Sequence, residues 1–280
     1  MRETSRRDVL TSVAVGLTWL AASGCSSLPT EGHAQQAFTF VQLCDTQLGM
    51  GGYEHDVGTF RRAVTQINAL QPDFVVICGD LVHDRNNQSF SDFKRIKADF
   101  TVPCYCVPGN HDVGNEPSPE SLQIYREVIG DDYYSFGHKG YVFAFVNTQL
   151  WKAPLDGETV RHDAWLRETL ASAKQKGCPV FVVGHYPLFT ETPDEPDAYM
   201  NLPLTRRTEL LELYEQFGVV AVLGGHAHRL IINDYHGIQL VNGEATSKNF
   251  DERPMGFRLW HVSSDRPFRH EFIEVAADTK

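Results

Sequence analysis

Positive charge is scarce in this 280-residue chain: 25 lysines and arginines stand against 36 aspartates and glutamates, for a formal net charge of −11 at pH 7. A chain of that sign lacks the basic footprint of a non-specific nucleic-acid binder, so no nucleic-acid partner is expected. Long hydrophobic runs are missing as well. Beyond the first 22 residues no stretch stays apolar long enough to span a membrane, and there is no internal repeat or low-complexity tract. Cysteine is sparse: apart from Cys25, the chain has Cys44, Cys78, Cys104, Cys106 and Cys178, all in or beside apolar stretches. An odd number embedded in this way reads as buried thiols rather than as a disulfide framework. What is present is 42% hydrophobic residues, enough for the core of one large domain.

The first residues read as an address. SRRDVL, residues 5–10, matches a twin-arginine export signal, and the stretch up to Ala22 is apolar but softened by Thr, Ser and Gly. ASGC, residues 22–25, has the form of a lipobox, which makes Cys25 the lipidated first residue of a membrane-anchored mature chain. Cleavage after Ala34, releasing a periplasmic or secreted protein, is the rival reading. Residues 1–34 are accordingly read as leader and linker, and 35–280 as the working domain.

Apolar strands then recur, each ending in a polar cluster. FTFVQLC from Phe38 ends in Asp45, Thr46 and Gln47; FVVIC from Phe74 ends in GDLVHD, residues 79–84. VPCYCV from Val102 ends in PGNHD, PVFVV from Pro179 ends in GHYP, and VVAVL from Val219 ends in GGHAH. Between them lie helical patterns at 59–70, 89–100, 118–129, 164–176 and 204–217, with Ser89, Ser118 and Thr205 as cap candidates. Residues 133–148 alternate like a hairpin around GHKG. Alternating β and α elements predict a layered α/β sandwich with the polar clusters at strand ends.

Any one of these clusters is what a turn or a helix cap uses. Five at five successive strand ends call for a common purpose. Carboxylates, an Asn amide oxygen and imidazoles can together hold two divalent cations that share one carboxylate, Zn or Fe at the nitrogen-rich part and Mn at the oxygen-rich part. Two such cations lower the pKa of a shared water towards neutrality, so that hydroxide exists in the site at neutral pH.

The order DTQ from Asp45, GD from Gly79, GNHD from Gly109, GH from Gly184 and GHAH from Gly225 resembles the calcineurin-like metallophosphoesterases over about residues 38–275. DTQLG, CGDLVH, GNHDVGN, GDDYYSF and PLF are similar to a group within that family that includes a eukaryotic Ser/Thr protein phosphatase. The resemblance implies a four-layer α/β/β/α sandwich with a two-metal site at the C-terminal ends of the strands, and a hydrolase of phosphoric esters in which that hydroxide attacks phosphorus in line. Carried over by position, Asp45 and His228 hold the first metal, Asp80 bridges, and Asn110, His185 and His226 hold the second. His111 donates the proton to the departing oxygen, with Asp84 or Asp112 orienting it.

One position departs from the pattern. The family usually has His where this chain has Gln47, whose uncharged amide oxygen is a weaker donor to Zn or Fe. His83, three residues after Asp80, is the compensating candidate or a residue behind the ligands, and His55 a more distant one. His33, His138, His162, His236, His261 and His270 match no motif and read as surface or structural. The acidic, proline-rich segment ETPDEPD, residues 191–197, reads as a surface loop; with Tyr199 it could overhang the metals as a lid that disfavours long polyanions. The expected activity is therefore hydrolysis of phosphomonoesters, small molecules or phosphoproteins. A phosphodiesterase acting on nucleotides or lipid head groups and a non-catalytic phosphate-ligand-binding protein are the alternatives.

Overall fold

The computed structural model describes residues 35–277. The chain begins β1 (Phe38–Leu43), α1 (Tyr53–Leu70), β2 (Phe74–Cys78), α2 (Asn87–Lys97), β3 (Cys104–Val107), a short α3 (Asn110–Val113) and α4 (Pro119–Val128). A hairpin of β4 (Tyr134–His138) and β5 (Tyr141–Phe145) leads through α5 (Gln149–Lys152) and α6 (Glu158–Gln175) to β6 (Val180–Val183). Then come α7 (Leu204–Phe217), β7 (Val219–Gly224), the hairpin β8 (Ile231–Tyr235) and β9 (Ile238–Asn242), β10 (Gly256–Val262) and β11 (Arg269–Glu274).

These strands form two sheets, in the orders β11-β10-β1-β2-β3 and β4-β5-β6-β7-β9-β8. The inner strands β1, β2 and β3 run parallel, as do β5, β6, β7 and β9, so their C-terminal ends share an edge in each sheet. Side-chain alternation explains the layering. Along β1, Phe40 joins an inter-sheet core with Phe74, Val76, Phe143, Phe181 and Val183, while Val41 and Leu43 pack among α1 and α2 residues such as Phe60 and Phe93. Across the other sheet, Val182 and Val222 meet Leu166 and Leu170 of α6 and Leu210 of α7. The result is the expected four-layer α/β/β/α sandwich. Between the sheets the rings of Phe40 and Phe74 stack at 5.3 Å, and those of Phe143 and Phe181 at 4.7 Å. Burying each such side chain contributes roughly 1.5–3 kcal/mol.

Helix starts differ from the sequence pattern for identifiable reasons. α1 begins at Tyr53 rather than at 59, because its first turn is polar: Asp56 is buried and accepts from the N–H groups of Gly49 and Gly51, bracing the loop ahead of it. The first turn of α6, from Glu158, is masked in the same way. Ser118 caps α4 as expected, its Oγ accepting from Ser121 N at 3.1 Å. Asn86, not Ser89, caps α2, its Oδ1 accepting from Ser89 N, and α7 follows Pro203, which leaves Thr205 inside the helix. Among the described residues the five cysteines are free, four of them buried and Cys104 half-buried, and no helix is long and apolar enough to cross a membrane. The twin-arginine pattern, Cys25 and the cleavage point after Ala34 lie outside the described residues.

Candidate metal centre

Five strand ends converge, three from the first sheet and two from the second. Asp45 and Gln47 follow β1, Asp80 follows β2, Asn110 and His111 follow β3, His185 follows β6, and His226 and His228 follow β7. Close approach of these segments explains the glycines in the motifs. A Cβ on Gly109 would overlap the Asp80 carboxylate, and one on Gly225 would stand 2.5 Å from Asp45 Oδ2. The backbone is also strained here. Nine non-glycine residues have positive φ among the described residues, and Asp45, Gln47, Asp80, His226 and His228 are five of them. Each such residue costs about 1–3 kcal/mol, strain that persists where the surroundings over-determine the conformation.

The side chains form two groups that share Asp80: Asp80, His185 and His226, and Asp45, Asp80 and His228, with the donor atoms of each group within 4.8 Å of one another. All five are buried. Each imidazole spends its far nitrogen on a backbone carbonyl and turns the other towards the cluster. His185 Nδ1 lies 2.8 Å from Cys78 O, His228 Nδ1 2.6 Å from Lys248 O, and His226 Nε2 3.2 Å from Tyr199 O. That arrangement sets the tautomer that metal-ligating histidines require. Inward, His185 Nε2 is 3.4 Å from Asp80 Oδ2, 3.1 Å from Asn110 Oδ1 and 3.2 Å from His226 Nδ1, and His228 Nε2 is 3.4 Å from Asp45 Oδ1. Gln47 directs Nε2 to Asp80 Oδ2 at 3.5 Å, and its buried Oε1 has no hydrogen-bond partner. An orphaned amide oxygen beside two buried carboxylates and three inward-facing imidazole nitrogens is the donor set of a cation site. The residues present therefore fit a pair of divalent cations.

Charge within the cluster is unevenly held. Burial pushes the Asp80 carboxyl up, but the imidazoles around it, His185 foremost and then His111 and His226, together hold it below the usual carboxylate range. Asp45 is raised by burial, which His228 and His185 only partly offset. Burial lowers His185, yet Asp80, joined by Asp45 and the Cys78 carbonyl, carries it up to about 10; burial and then His185 push His226 down to about 3. A cation seated among these donors would compete with a proton on His185.

The remaining expected residues divide. His111 donates its backbone N–H to Asp80 Oδ1 at 2.9 Å, and its Nδ1 lies 2.9 Å from the carbonyl of His83, leaving Nε2 available. Neither Asp84 nor Asp112 orients it, contrary to expectation. Asp84 is exposed, its place beside the ring taken by the His83 carbonyl. Asp112 is buried and accepts from the N–H groups of Leu81, Val82 and Gly109, so it ties the β2 and β3 loops together; burial, and Asp80 nearby, raise it to about 8. His83 belongs to neither donor group, and its ring stacks on that of His111 at 4.7 Å. His55 is half-exposed and bonded to Asp56, 3.0 Å away, and is likewise outside both groups.

Several partners carried no motif. Thr148 Oγ1 accepts from the backbone N–H groups of His185 and Tyr186, and Asn242 Nδ2 donates to Gly225 O at 2.7 Å. The Tyr199 hydroxyl accepts from Asn110 Nδ2 at 3.3 Å while its carbonyl faces His226, so the segment 190–203 does reach the site. That segment is held by Glu195, which accepts from the N–H groups of Thr190, Glu191 and Thr192 and from Asn201 Nδ2, and by the buried Arg207, which donates to Glu195 O.

Residues 38–230 match the family model for calcineurin-like phosphoesterases. The chain is 32% identical over 255 residues to the human serine/threonine-protein phosphatase CPPED1, covering 82% of this chain and 81% of that one. It is 26% identical over 248 residues to the 3',5'-cyclic adenosine monophosphate phosphodiesterase CpdA of Escherichia coli, covering 83% and 84% respectively. In fold it is similar to a dimetal phosphatase from Danio rerio, with a TM-score of 0.62 at 18% identity, covering 85% of this chain and 99% of that one.

Proposed function

The chain belongs to the calcineurin-like phosphoesterase family of metal-dependent hydrolases, and on that footing we propose that it hydrolyses phosphate monoesters at the cluster centred on Asp80. The observation that carries this reading is the pair of buried donor groups sharing one carboxylate. Asp45, His228 and, through its orphaned Oε1, Gln47 would hold the first cation; Asn110, His185 and His226 would hold the second; Asp80 would serve both. Two divalent cations of the Mn, Fe or Zn kind supply, when bound, the charge that draws in phosphoryl oxygens and lowers the pKa of the attacking water.

The protein's own groups do the rest. The His83 carbonyl accepts a hydrogen bond from His111 Nδ1–H, which leaves Nε2 as the nitrogen from which the departing oxygen would receive its proton. Asn110 Nδ2, bonded to the Tyr199 hydroxyl, keeps its amide turned so that Oδ1 faces the cluster. Preference for a monoester is supported by the greater similarity to a phosphatase than to a cyclic-nucleotide phosphodiesterase. The leader pattern supports export, with Cys25 as the lipidated residue.

Metal analysis combined with p-nitrophenyl phosphate and bis-p-nitrophenyl phosphate tests the proposal. Two bound metals and faster turnover of the monoester are expected. Faster turnover of the diester would make the protein a phosphodiesterase, and turnover of neither by metal-replete protein would leave a binding protein.

A further inference from the structure

Two large aromatic side chains stand exposed beside the cluster, one over each half. Tyr199, 53% exposed, lies with its ring 4.9 Å from that of His226; Phe250, 49% exposed, stacks on His228 at 4.4 Å and 13°. They come from separate loops, 190–203 between β6 and α7 and 243–255 between β9 and β10. Each is tethered to the histidine it covers through the backbone, Tyr199 O to His226 Nε2 and Phe250 N to His228 O at 2.9 Å.

Both loops are braced so that the rings stay out. Besides the Glu195 contacts, Lys152 Nζ donates to the carbonyls of Ala198 and Asn201, and Asn201 Oδ1 accepts from Ala198 N. On the other side Asn249 Oδ1 accepts from Ala245 N at 2.6 Å, while Asn249 Nδ2 donates to Pro254 O at 2.9 Å. An apolar face held against water is stabilised only when something apolar covers it. The 190–203 loop carries Glu191, Asp194 and Asp197, which repel a second anionic group, whereas on the other loop Asp251 is paired with Arg253 and Glu252 stands near Lys248 in sequence.

We infer that Tyr199 and Phe250 form the walls of a subsite for the organic group of the ester, which selects a flat, apolar and uncharged leaving group, as in an aryl phosphomonoester. The inference rests on the monoesterase reading above and adds the class of substrate. The face of Phe250 turned away from His228 and the exposed part of the Tyr199 ring are left to take a planar group by stacking, each contact being worth about two- to tenfold in affinity. An alkyl or polyhydroxylated group fills the same space without that gain.

Benzylphosphonate and methylphosphonate, which carry the same anion and are not hydrolysed, isolate the effect. In calorimetric titration of the metal-replete protein, benzylphosphonate is expected to bind more tightly, and the ratio of the two dissociation constants to fall by about two- to tenfold in Tyr199→Ala and in Phe250→Ala. Because the ratio is taken within one variant, any general weakening of the anion site cancels. Tyr199→Phe keeps the ring and loses only the hydroxyl bonded to Asn110, so it is expected to keep the preference. Equal binding of the two phosphonates by the parent, or an unchanged ratio in both alanine variants, overturns the subsite while leaving the phosphoesterase reading intact. Binding of neither phosphonate overturns both.

Discussion

His162 should make the fold acid-sensitive by an amount that can be worked out. Its ring is fully buried in α6 between Tyr133 and Trp151, with centroids at 4.9 Å on each side; Nε2 accepts from Asn147 N at 3.3 Å and Nδ1 has no hydrogen-bond partner. Burial lowers its pKa from the ordinary 6.5 to about 4, against a smaller opposing pull from Asp163. Between those values the unfolded chain binds a proton that the folded one refuses. Its contribution is therefore fully present above about pH 6.5 and is lost progressively as the pH falls towards 4. The full difference is about 3 kcal/mol, of which about 2 kcal/mol is already lost at pH 5. Urea denaturation at pH 7.5 and pH 5 measures it. His162→Gln retains an acceptor for Asn147 N but does not titrate, so although less stable at pH 7.5 it should lose about 2 kcal/mol less than the parent between the two pH values. Losses that run parallel in the two proteins would refute the assignment and shift the acid sensitivity to other groups.

Asp80→Asn should abolish hydrolysis and lower the metal content measured by atomic absorption, because both donor groups depend on that carboxylate. Gln47→His should tighten the more weakly held metal by on the order of tenfold, ~1.4 kcal/mol, in competition with a chelator, and Gln47→Ala should not; equal affinities in all three proteins would mean that residue 47 is not a ligand. Glu195→Gln should free the 190–203 segment at a cost of about 1–3 kcal/mol, seen as faster amide exchange at Thr190, Glu191 and Thr192, whose N–H groups it accepts from. Cys25→Ala should release the mature protein from the membrane fraction, and retention there would remove the lipid anchor from the picture.

The strand-end motifs were legible because each combines two signals, an apolar run and then a glycine beside a polar residue, and because chemistry limits what can hold a cation. Asp45, Asp80, Asn110, His185, His226 and His228 converge for that reason. The hairpin around Lys139 and Gly140 was legible from its alternation. Less visible were β8, β10 and β11, whose apolar positions are interrupted by Asn233, Arg258 and Glu271 at edges and half-covered faces. The orienting group of His111 was missed because it is a main-chain carbonyl, to which residue identity gives no clue. Phe250 escaped notice for a related reason: only the path of the 243–255 segment brings it over His228.

The division of the donors between the two sheets also governs when such a site can exist during folding. The bond from His226 N to Asp45 joins residues 181 apart in sequence, and the contact of His185 with Asn110 spans 75. Contacts of that reach close late, after the local hairpins and helices have formed. A half-folded chain with one sheet in place presents a few isolated carboxylates or imidazoles and no enclosure for a cation. Each donor group draws on both sheets, so a seated metal acts as a rivet across the seam and stabilises the docked sandwich over either half alone. Competence for chemistry and completion of the fold thus arrive in the same step.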